Sequence, residues 1–288
     1  MQRNSPVSLG NPGCEKGGSV SPSCVTAYSI LDNFLFATFY TIILLYVFIY
    51  SKIRKDQILR YRIEFGNSHA SRLKAQKFRQ RVFKNSESGL DEDEFDEVSD
   101  HCLIYDRNKD GKLVLVFRSR NYSSMKEILN SYSAQYYDLT KLTDLAFTPM
   151  EIGRLCVDKE ASDPFLLLHA FKYLVSLISS VRTDFIFGCT SFIGADNPNN
   201  LNSFRFLKNN QLAESKFQIN KKSSCILDIK KEIATLDGPK PTKNLLPPLL
   251  KFYLKLGGKV SDHAVIDREL DTLHVFTYVN LKGKKINY

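Results

Sequence analysis

Apolar residues recur along this chain with two different spacings, and the helical spacing predicts three helices. Residues 70–83 place apolar side chains three to four positions apart among basic residues, and residues 165–181 carry one continuous apolar face. Residues 244–257 have prolines near their start and end with Gly257, which is a common arrangement at helix termini. We therefore expect three helices that pack against a common core.

Shorter apolar runs between these helices predict strands. They lie at residues 101–105, 113–118, 150–157 and 185–189, and twice within 259–281. The first two form a hairpin in this prediction, because the intervening Asp110-Gly111 is a strong turn signal. The order of helices and strands predicts one α/β or α+β domain, with a mixed sheet and helices on its faces.

Two opposite charges interrupt the strand predicted at 150–157. Glu151 and Arg154 stand there among Ile152, Leu155 and Val157. A buried charge is costly unless it is paired or hydrogen-bonded, so the pair needs an explanation. Two are open: a structural ion pair that braces neighbouring strands, or a polar cleft that enters the sheet.

The N-terminal part of the chain differs in composition from the rest. Residues 1–29 are rich in Ser, Gly and Pro and are predicted to be disordered. Residues 34–50 carry no charge, and as a helix they would reach roughly 25 Å, close to the thickness of a bilayer core. We predict a transmembrane anchor over residues 30–51, with a buried or interfacial helix as the alternative. The basic cluster that follows places the C-terminal side in the cytoplasm.

Charge is unevenly distributed over the chain, whose net charge is +9. Residues 52–84 are strongly basic and residues 87–100 strongly acidic. The acidic run argues against a nucleic-acid-binding module and leaves an acidic protein or a membrane surface as the anionic partner. The six cysteines include no CxxC pair and the five histidines are scattered, so no metal site is predicted. We expect a basic linker over 52–67 and one domain over 68–288.

Five segments resemble, in this order, the bacterial ornithine lipid N-acyltransferases. They are AQKFRQRVF (75–83), FDEVSDHCLIYD (95–106), EIGRLCV (151–157), FGCTSFIGAD (187–196) and LPPLLKFYLKLGGKV (246–260). That family is a branch of the Gcn5-related N-acetyltransferase (GNAT) superfamily, related to N-acyl amino acid synthases and acyl-homoserine lactone synthases. The resemblance implies a GNAT-like mixed, mostly antiparallel split sheet with helices on both faces.

The resemblance also implies roles for polar residues. It implies catalytic roles for Glu151, Arg154, Asp96 and His101, and substrate binding by Arg79, Arg81, Phe83, Asp93 and Arg118. Transfer of an acyl group from a thioester to an amine requires the ammonium to lose a proton, which a carboxylate in a cleft can relay. No covalent enzyme intermediate is needed. His274 stands where an aspartate is common in the family.

The turn after the strand at 150–157 bears on the acyl donor. Asp158–Pro164 contains neither glycine nor arginine, although GNAT enzymes usually receive the diphosphate of coenzyme A on a glycine-containing turn. Asp163 precedes Pro164 as a helix cap and would repel a diphosphate. We therefore expect no bound cofactor and favour acyl carrier protein over acyl-CoA as the donor. The donor site is assigned to Cys156, Val157 and Lys159.

The sequence thus predicts an N-acyltransferase anchored in the cytoplasmic membrane. It would move a fatty, 3-hydroxylated acyl chain from acyl carrier protein to an amino acid such as ornithine. Two alternatives stay open. One is a synthase of a diffusible N-acyl amino acid or acyl-homoserine lactone signal, and the other is a GNAT-fold lipid-binding scaffold that has lost catalysis.

Overall fold

The computed structural model describes residues 60–161, 163–233 and 245–284. These residues belong to one unit of the chain, which begins at Gln57. The predicted disordered segment over 1–29 and the predicted anchor over 30–51 lie outside the described residues. Among the residues that are described, no helix combines the length and the apolar character that a membrane span needs.

An eight-stranded sheet forms the centre of the fold. Its strands, in spatial order, are β1 (Tyr61–Gly66), β2 (Asp100–Asp106), β3 (Lys112–Asn121), β5 (Pro149–Val157), β6 (Phe185–Ile193), β10 (Thr272–Asn280), β9 (Lys259–Asp267) and β8 (Ile226–Asp228). Only β5 and β6 pair in parallel, and the other neighbours are antiparallel. A separate two-stranded pair joins β4 (Tyr137–Asp138) to β7 (Asn220–Lys221).

Six helices accompany the strands in the described part of the chain. They are α1 (His69–Phe83), α2 (Ser133–Tyr136), α3 (Pro164–Ser180), α4 (Asn199–Asn210), α5 (Ile229–Glu232) and α6 (Pro248–Lys255). Side chains stabilise the first backbone N–H groups of the longer ones: Ser68 accepts a hydrogen bond from Ser71 at the start of α1, and Asp163 accepts one from Phe165 at the start of α3.

Apolar layers pack on both faces of the sheet, because alternate residues of a strand point to opposite sides. Ile186 belongs to the layer beneath α3 and α6, whereas its neighbours Phe185 and Phe187 belong to the layer on the other face. Ala75 and Phe78 of α1 pack against β2 and β3 on that second face. The prediction of one mixed sheet with helices on both faces is confirmed.

Residues 61–66 differ from the prediction, which placed them in a basic linker over 52–67. They form β1, which pairs with β2 along its whole length. Tyr61, Ile63 and Phe65 alternate with two charged residues, as in an edge strand that faces the core on one side. The folded domain therefore includes residues that charge density alone had assigned to a connection.

Candidate active site

The two parallel strands at the centre of the sheet separate partway along their length. β5 and β6 pair only from Pro149↔Phe185 to Glu151↔Phe187. Beyond this point Arg154 adopts a left-handed conformation with φ of 52°, and the pairing of β5 with β3 shifts register opposite it. Such a bulge bends the strand that carries it. Among the described strands, β5 from Gly153 onward therefore pairs with β3 alone, whereas the Ile152 carbonyl still lies against Gly188 of β6.

A cavity of about 890 Å³ lies at this separation. Its polar lining includes Arg118, Arg120, Tyr132, Glu151, Asp267 and His274. Its apolar lining comes mainly from β5, α3 and the residues at the start of α6, among them Leu155, Leu167, Leu246 and Leu249. The volume is in the range of small-molecule sites, and one space thus combines polar groups with an apolar wall.

Glu151 lies in this cavity, where four donors hold its carboxylate. The Ser133 N–H and hydroxyl donate to Oε1 at 2.8 and 2.6 Å, and the Tyr132 N–H and Tyr122 hydroxyl donate to Oε2 at 3.1 Å each. The side chain therefore fixes the start of the short helix α2 and the position of Tyr132. Glu151 and Arg154 lie at the same cavity, but their partners are different groups.

Arg154 and Arg118 meet at one carboxylate. Arg154 Nη2 donates to Asp93 Oδ2 at 2.8 Å, and Arg118 forms a second, short ion pair with the same aspartate. The Arg154 guanidinium also lies 4.8 Å from the centre of the Tyr132 ring. Burial opposes the ionised form of Asp93, yet the two arginines outweigh it and lower the pKa of its carboxyl. The cluster holds the floor of the cavity in one charged arrangement.

Arg79 and Asp96 form the inner part of this charged network. Arg79 pairs with Asp91 and with Asp96 at 2.7 Å each, and Asp96 also accepts from Arg118 at 2.6 Å. Both Arg79 and Asp96 are almost fully buried. His101, which is fully buried too, places Nε2 3.0 Å from the Asp96 carbonyl oxygen.

The structure thus separates the predicted site residues into two groups. Glu151, Arg154, Arg118, Phe83, Cys156, Val157 and Lys159 line the cavity, whereas Arg79, Arg81, Asp93, Asp96 and His101 do not. The second group lies behind or beside the first, so its geometry suits positioning of the lining arginines rather than contact with a reactant. Arg81, on the surface of α1, instead lies 3.6 Å from Asp158.

The cysteines at the cavity are poor nucleophiles. Cys156 and Cys189 both line it, and burial raises the pKa of each thiol to about 12. A thiol with such a pKa holds almost no reactive thiolate at neutral pH. This agrees with the expectation that transfer proceeds without a covalent enzyme intermediate.

The acidic turn before α3 is internally neutralised. Asp163 accepts from Arg60 at 2.5 Å and from the Tyr61 hydroxyl at 2.7 Å, and Asp158 lies 3.1 Å from the Lys112 ammonium. The predicted repulsion of a diphosphate is therefore weaker than the bare sequence implied, because both carboxylates already have cationic partners.

Several polar residues of the cavity were not predicted from the sequence, among them Arg120, Asp267 and His274. Arg120 faces Glu151 across the β3–β5 pair, and Asp267 and His274 come from the far strands β9 and β10. The pairing of these strands with β6 and with each other brings them to the cavity, and no local motif marks them. His274 carried a weak signal as a departure from the family pattern.

Comparison with known proteins identifies relatives of this chain. A family model described as an acetyltransferase (GNAT) domain matches residues 73–169. The L-ornithine N(alpha)-acyltransferase of Brucella abortus (strain 2308) is 28% identical over 247 residues, which cover 82% of this chain and 83% of that protein. The L-ornithine N(alpha)-acyltransferase of Rhodobacter capsulatus is 27% identical over 201 residues, covering 68% and 77%.

Solved structures similar to this chain include the N-acyl amino acid synthase FeeM from uncultured soil microbes, with 9% identity, a TM-score of 0.40 and coverage of 78% and 92% of the two chains. The AHL synthase LasI has 11% identity, a TM-score of 0.42 and coverage of 79% and 98%. The sequence matches confirm the predicted resemblance and the GNAT-like α/β fold, and they confirm the prediction that the chain is an acyltransferase.

Proposed function

We propose that this acyltransferase moves a fatty acyl chain from a carrier-bound thioester to the amine of an amino acid such as ornithine. The product would be an acyl amino acid lipid. The observation that carries the proposal is the cavity at the separation of β5 and β6, which joins a free strand edge, a polar cluster and an apolar wall. An N-acyltransferase for a long chain needs all three.

The free edge of β5 supports a pantetheine thioester as the donor. Beyond Ile152 the backbone N–H and C=O groups on this edge have no strand partner in β6 among the described residues. A pantetheine arm carries two amides, so it can extend the sheet there as a short strand does. The donor protein we propose is acyl carrier protein, which presents one phosphodiester and an acidic surface.

Exposed groups at the end of α1 support the same donor. Phe83 lines the cavity although its side chain is 40% exposed, so it marks the mouth. Lys84 follows it, and Lys159 reaches Asn85 at 3.5 Å from the opposite side. Cations around an open mouth attract an acidic carrier by electrostatic complementarity.

Arg120 is the group best placed to bind the acceptor carboxylate. The other arginines at the cavity, Arg118 and Arg154, already pair with aspartates, whereas no acid lies within salt-bridge distance of Arg120 among the described residues. Its Nη1 donates to the Asn130 carbonyl at 3.1 Å. The remaining guanidinium N–H groups can form a fork to a carboxylate.

Asp267 supports an acceptor that carries a second amine. Its Oδ1 accepts from the N–H groups of Glu269 and Leu270 at 3.0 Å each, while the residue lines the cavity. A carboxylate there attracts an ammonium group, and a diamino acid such as ornithine carries one besides the reacting amine. The fatty chain would lie against Leu155, Leu167 and Leu249, since burial of apolar chain is favourable.

The direct test uses the purified full chain with acyl carrier protein loaded with 3-hydroxylated and with unsubstituted fatty chains. Each donor is offered with a panel of amino acids that includes ornithine and lysine. Thiol release and the mass of the product are measured together. We expect thiol release that depends on the acceptor and a new amide of ornithine.

Other outcomes choose between the alternatives. A product with another amino acid would change the acceptor, and a lactone formed with S-adenosylmethionine would favour the signal synthase. Folded protein that releases no thiol with any amine would contradict the proposal and favour the lipid-binding scaffold.

We also propose that residues 30–51 anchor the chain in the cytoplasmic membrane. The support is the uncharged run at 34–50 followed by a basic cluster. The test is fractionation of cells that express the full chain or a chain starting at residue 51. We expect only the full chain in carbonate-washed membranes, and recovery of both chains in the soluble fraction would overturn the anchor.

A further inference from the structure

A buried histidine nitrogen at the cavity has no hydrogen-bond partner in the part of the chain that the structure describes. His274 lines the cavity with only 2% of its surface exposed. Among the described residues, its Nε2 is a buried side-chain atom without a hydrogen-bond partner. A buried polar atom is normally satisfied, so an orphan at a cavity is a place where a ligand would complete the bonding.

Tyr137 determines which nitrogen of His274 carries the proton. The Tyr137 hydroxyl lies 2.8 Å from the His274 carbonyl oxygen and 3.1 Å from Nδ1. The hydroxyl has one hydrogen, and the carbonyl can only accept, so the hydroxyl donates to the carbonyl. Nδ1 must then carry the hydrogen that it donates to the Tyr137 oxygen. Nε2 is consequently left with a free lone pair.

Glu151, in contrast, is poorly placed to accept a further proton. Its two oxygens already accept four hydrogen bonds from Ser133, Tyr132 and Tyr122. If Glu151 took up a proton, its new O–H group would face donors that already occupy both oxygens. The carboxylate therefore fixes the cavity wall, and another group has to receive the proton that leaves the attacking nitrogen.

We propose that His274 Nε2 accepts the hydrogen bond of the attacking amine and shuttles its proton to the departing sulfur. The inference rests on the proposed acyl transfer. The acceptor ammonium loses its first proton to water as it enters the buried site, because burial favours the neutral form. The amine nitrogen then attacks the thioester carbonyl, and a carbon–nitrogen bond forms.

Proton transfer at Nε2 completes the step. The nitrogen of the adduct is cationic and acidic, and Nε2 takes one of its protons. When the adduct collapses, the carbon–sulfur bond breaks and the sulfur takes that proton back from Nε2. The amide and a free thiol leave, and the imidazole returns to its neutral state.

The surroundings of His274 keep it neutral at rest. Facing it are Asp267 of β9, Arg154 of β5, Tyr136 of α2 and Tyr137 of β4, with Ser191 of β6 and Val265 of β9 beside it in the sheet. Burial is the largest effect on the pKa of His274 and lowers it, the Asp267 carboxylate opposes burial, and Arg154 adds to it, so that the pKa falls to about 4. The lone pair is therefore available throughout the neutral range.

The test compares H274Q and H274A with the wild-type full chain, using acyl-carrier thioester, the amine panel and thiol release. We expect kcat to fall about 100-fold or more in both variants, while the KM of the donor changes little. Added imidazole should restore part of the rate in H274A, because it can enter the space left by the ring. A purely structural histidine would give no such rescue.

His263 offers a matched control. It is another fully buried histidine, on β9, and its ring lies 5.4 Å from the same Tyr137 ring, yet it does not line the cavity. H263Q should keep the wild-type rate and pH profile. If H274A fails to fold, H274Q decides, since it fills most of the same volume.

The two proposals fail in different ways. A wild-type rate in folded H274Q would overturn the role of His274 and leave the acyl transfer intact. Absence of thiol release by the wild type with every amine would overturn both.

Discussion

The carboxylate of Glu151 is a structural centre for the cavity wall, and its replacement by glutamine tests that role at the scale of a residue. An amide group in this place turns one acceptor oxygen into a donor that faces existing donors. We expect E151Q to lose about 1–3 kcal/mol of stability as well as acyl transfer, because buried donors are left unsatisfied.

Chemical denaturation and thiol release, measured on the same preparation, check this expectation. S133A removes the Ser133 hydroxyl, one of the four donors, and leaves the other three facing an acceptor. Its loss of stability should therefore be smaller than that of E151Q. An unchanged denaturation midpoint in E151Q would contradict the bracing role, and a wild-type rate would show that acyl transfer does not need this bracing.

His274 also makes a prediction about pH and stability. Burial lowers its pKa from 6.5 to about 4, so between these values the unfolded chain binds a proton that the folded chain does not. Stability from this source is fully present above about pH 6.5 and falls as the pH drops toward 4, by about 3 kcal/mol in total. Urea denaturation at pH 7 and pH 4.5 should show a smaller loss for H274Q than for the wild type. An equal loss in both would exclude this contribution.

The sequence could reveal part of the site and not the rest, for a physical reason. Glu151 and Arg154 are visible because a charge in an apolar strand is unusual, and they do reach the cavity. Asp96 and His101 were predicted too, but Asp96 accepts from Arg118 and His101 contacts the Asp96 carbonyl, so both lie behind the arginine that lines the cavity. His274 gave only a faint signal, since its position at the cavity depends on strand pairings far apart in the chain.

At the scale of elements, two glycines with opposite surroundings lie where β5 and β6 begin to separate. A Cβ added at Gly188 would lie 2.2 Å from the Ile152 carbonyl oxygen, whereas a Cβ at Gly153 would meet nothing within 4 Å. We expect G188A to destabilise the fold by about 1–3 kcal/mol, because the two strands must move apart. G153A should fold normally and raise the KM of the acyl donor, since Gly153 lines the cavity.

Thermal denaturation of G188A and G153A measures the stability of each variant, and titration with the acyl donor measures its KM. Each variant adds one methyl group, so the comparison separates strand contact from cavity filling. Equal stability of both would contradict the close approach at Gly188, and an unchanged KM in G153A would place the donor elsewhere.

The order of most elements could be predicted from apolar periodicity, and β1 shows where that reading fails. Its two-residue alternation was present in the sequence, but the surrounding positive charge favoured a linker. The separation of the sheet is different, because a bulge at Arg154 arises from the mismatch between β5 and β3 and leaves no pattern in one strand.

At the scale of the whole molecule, much of the positive charge in the described part of the basic segment, residues 60–84, is paired within the protein. Less of it can attract a partner than the sequence suggests. Arg60 pairs with two aspartates, Arg79 is buried between Asp91 and Asp96, and Lys74 lies 3.4 Å from Glu64. What faces solvent on α1 and just after it is a smaller set that includes Lys77 and Lys84. Lys84 lies 3.5 Å from Glu269, but both side chains are exposed, so solvent screens this pair. A carrier protein would have to be attracted by these exposed cations near Phe83.

Charge reversal of this set tests the proposed carrier. In K77E/K84E we expect the KM for acyl carrier protein to rise by at least about fivefold, with a steeper dependence on salt in the wild type than in the variant. The same acyl chain on free pantetheine should react equally with both proteins, because the cavity itself is unchanged. K126E/K141E makes the same charge change at exposed positions away from α1 and should leave both donors unaffected. An equal KM for the carrier in K77E/K84E and the wild type would show that docking does not use α1. The carrier protein would then meet the enzyme without help from these two charges.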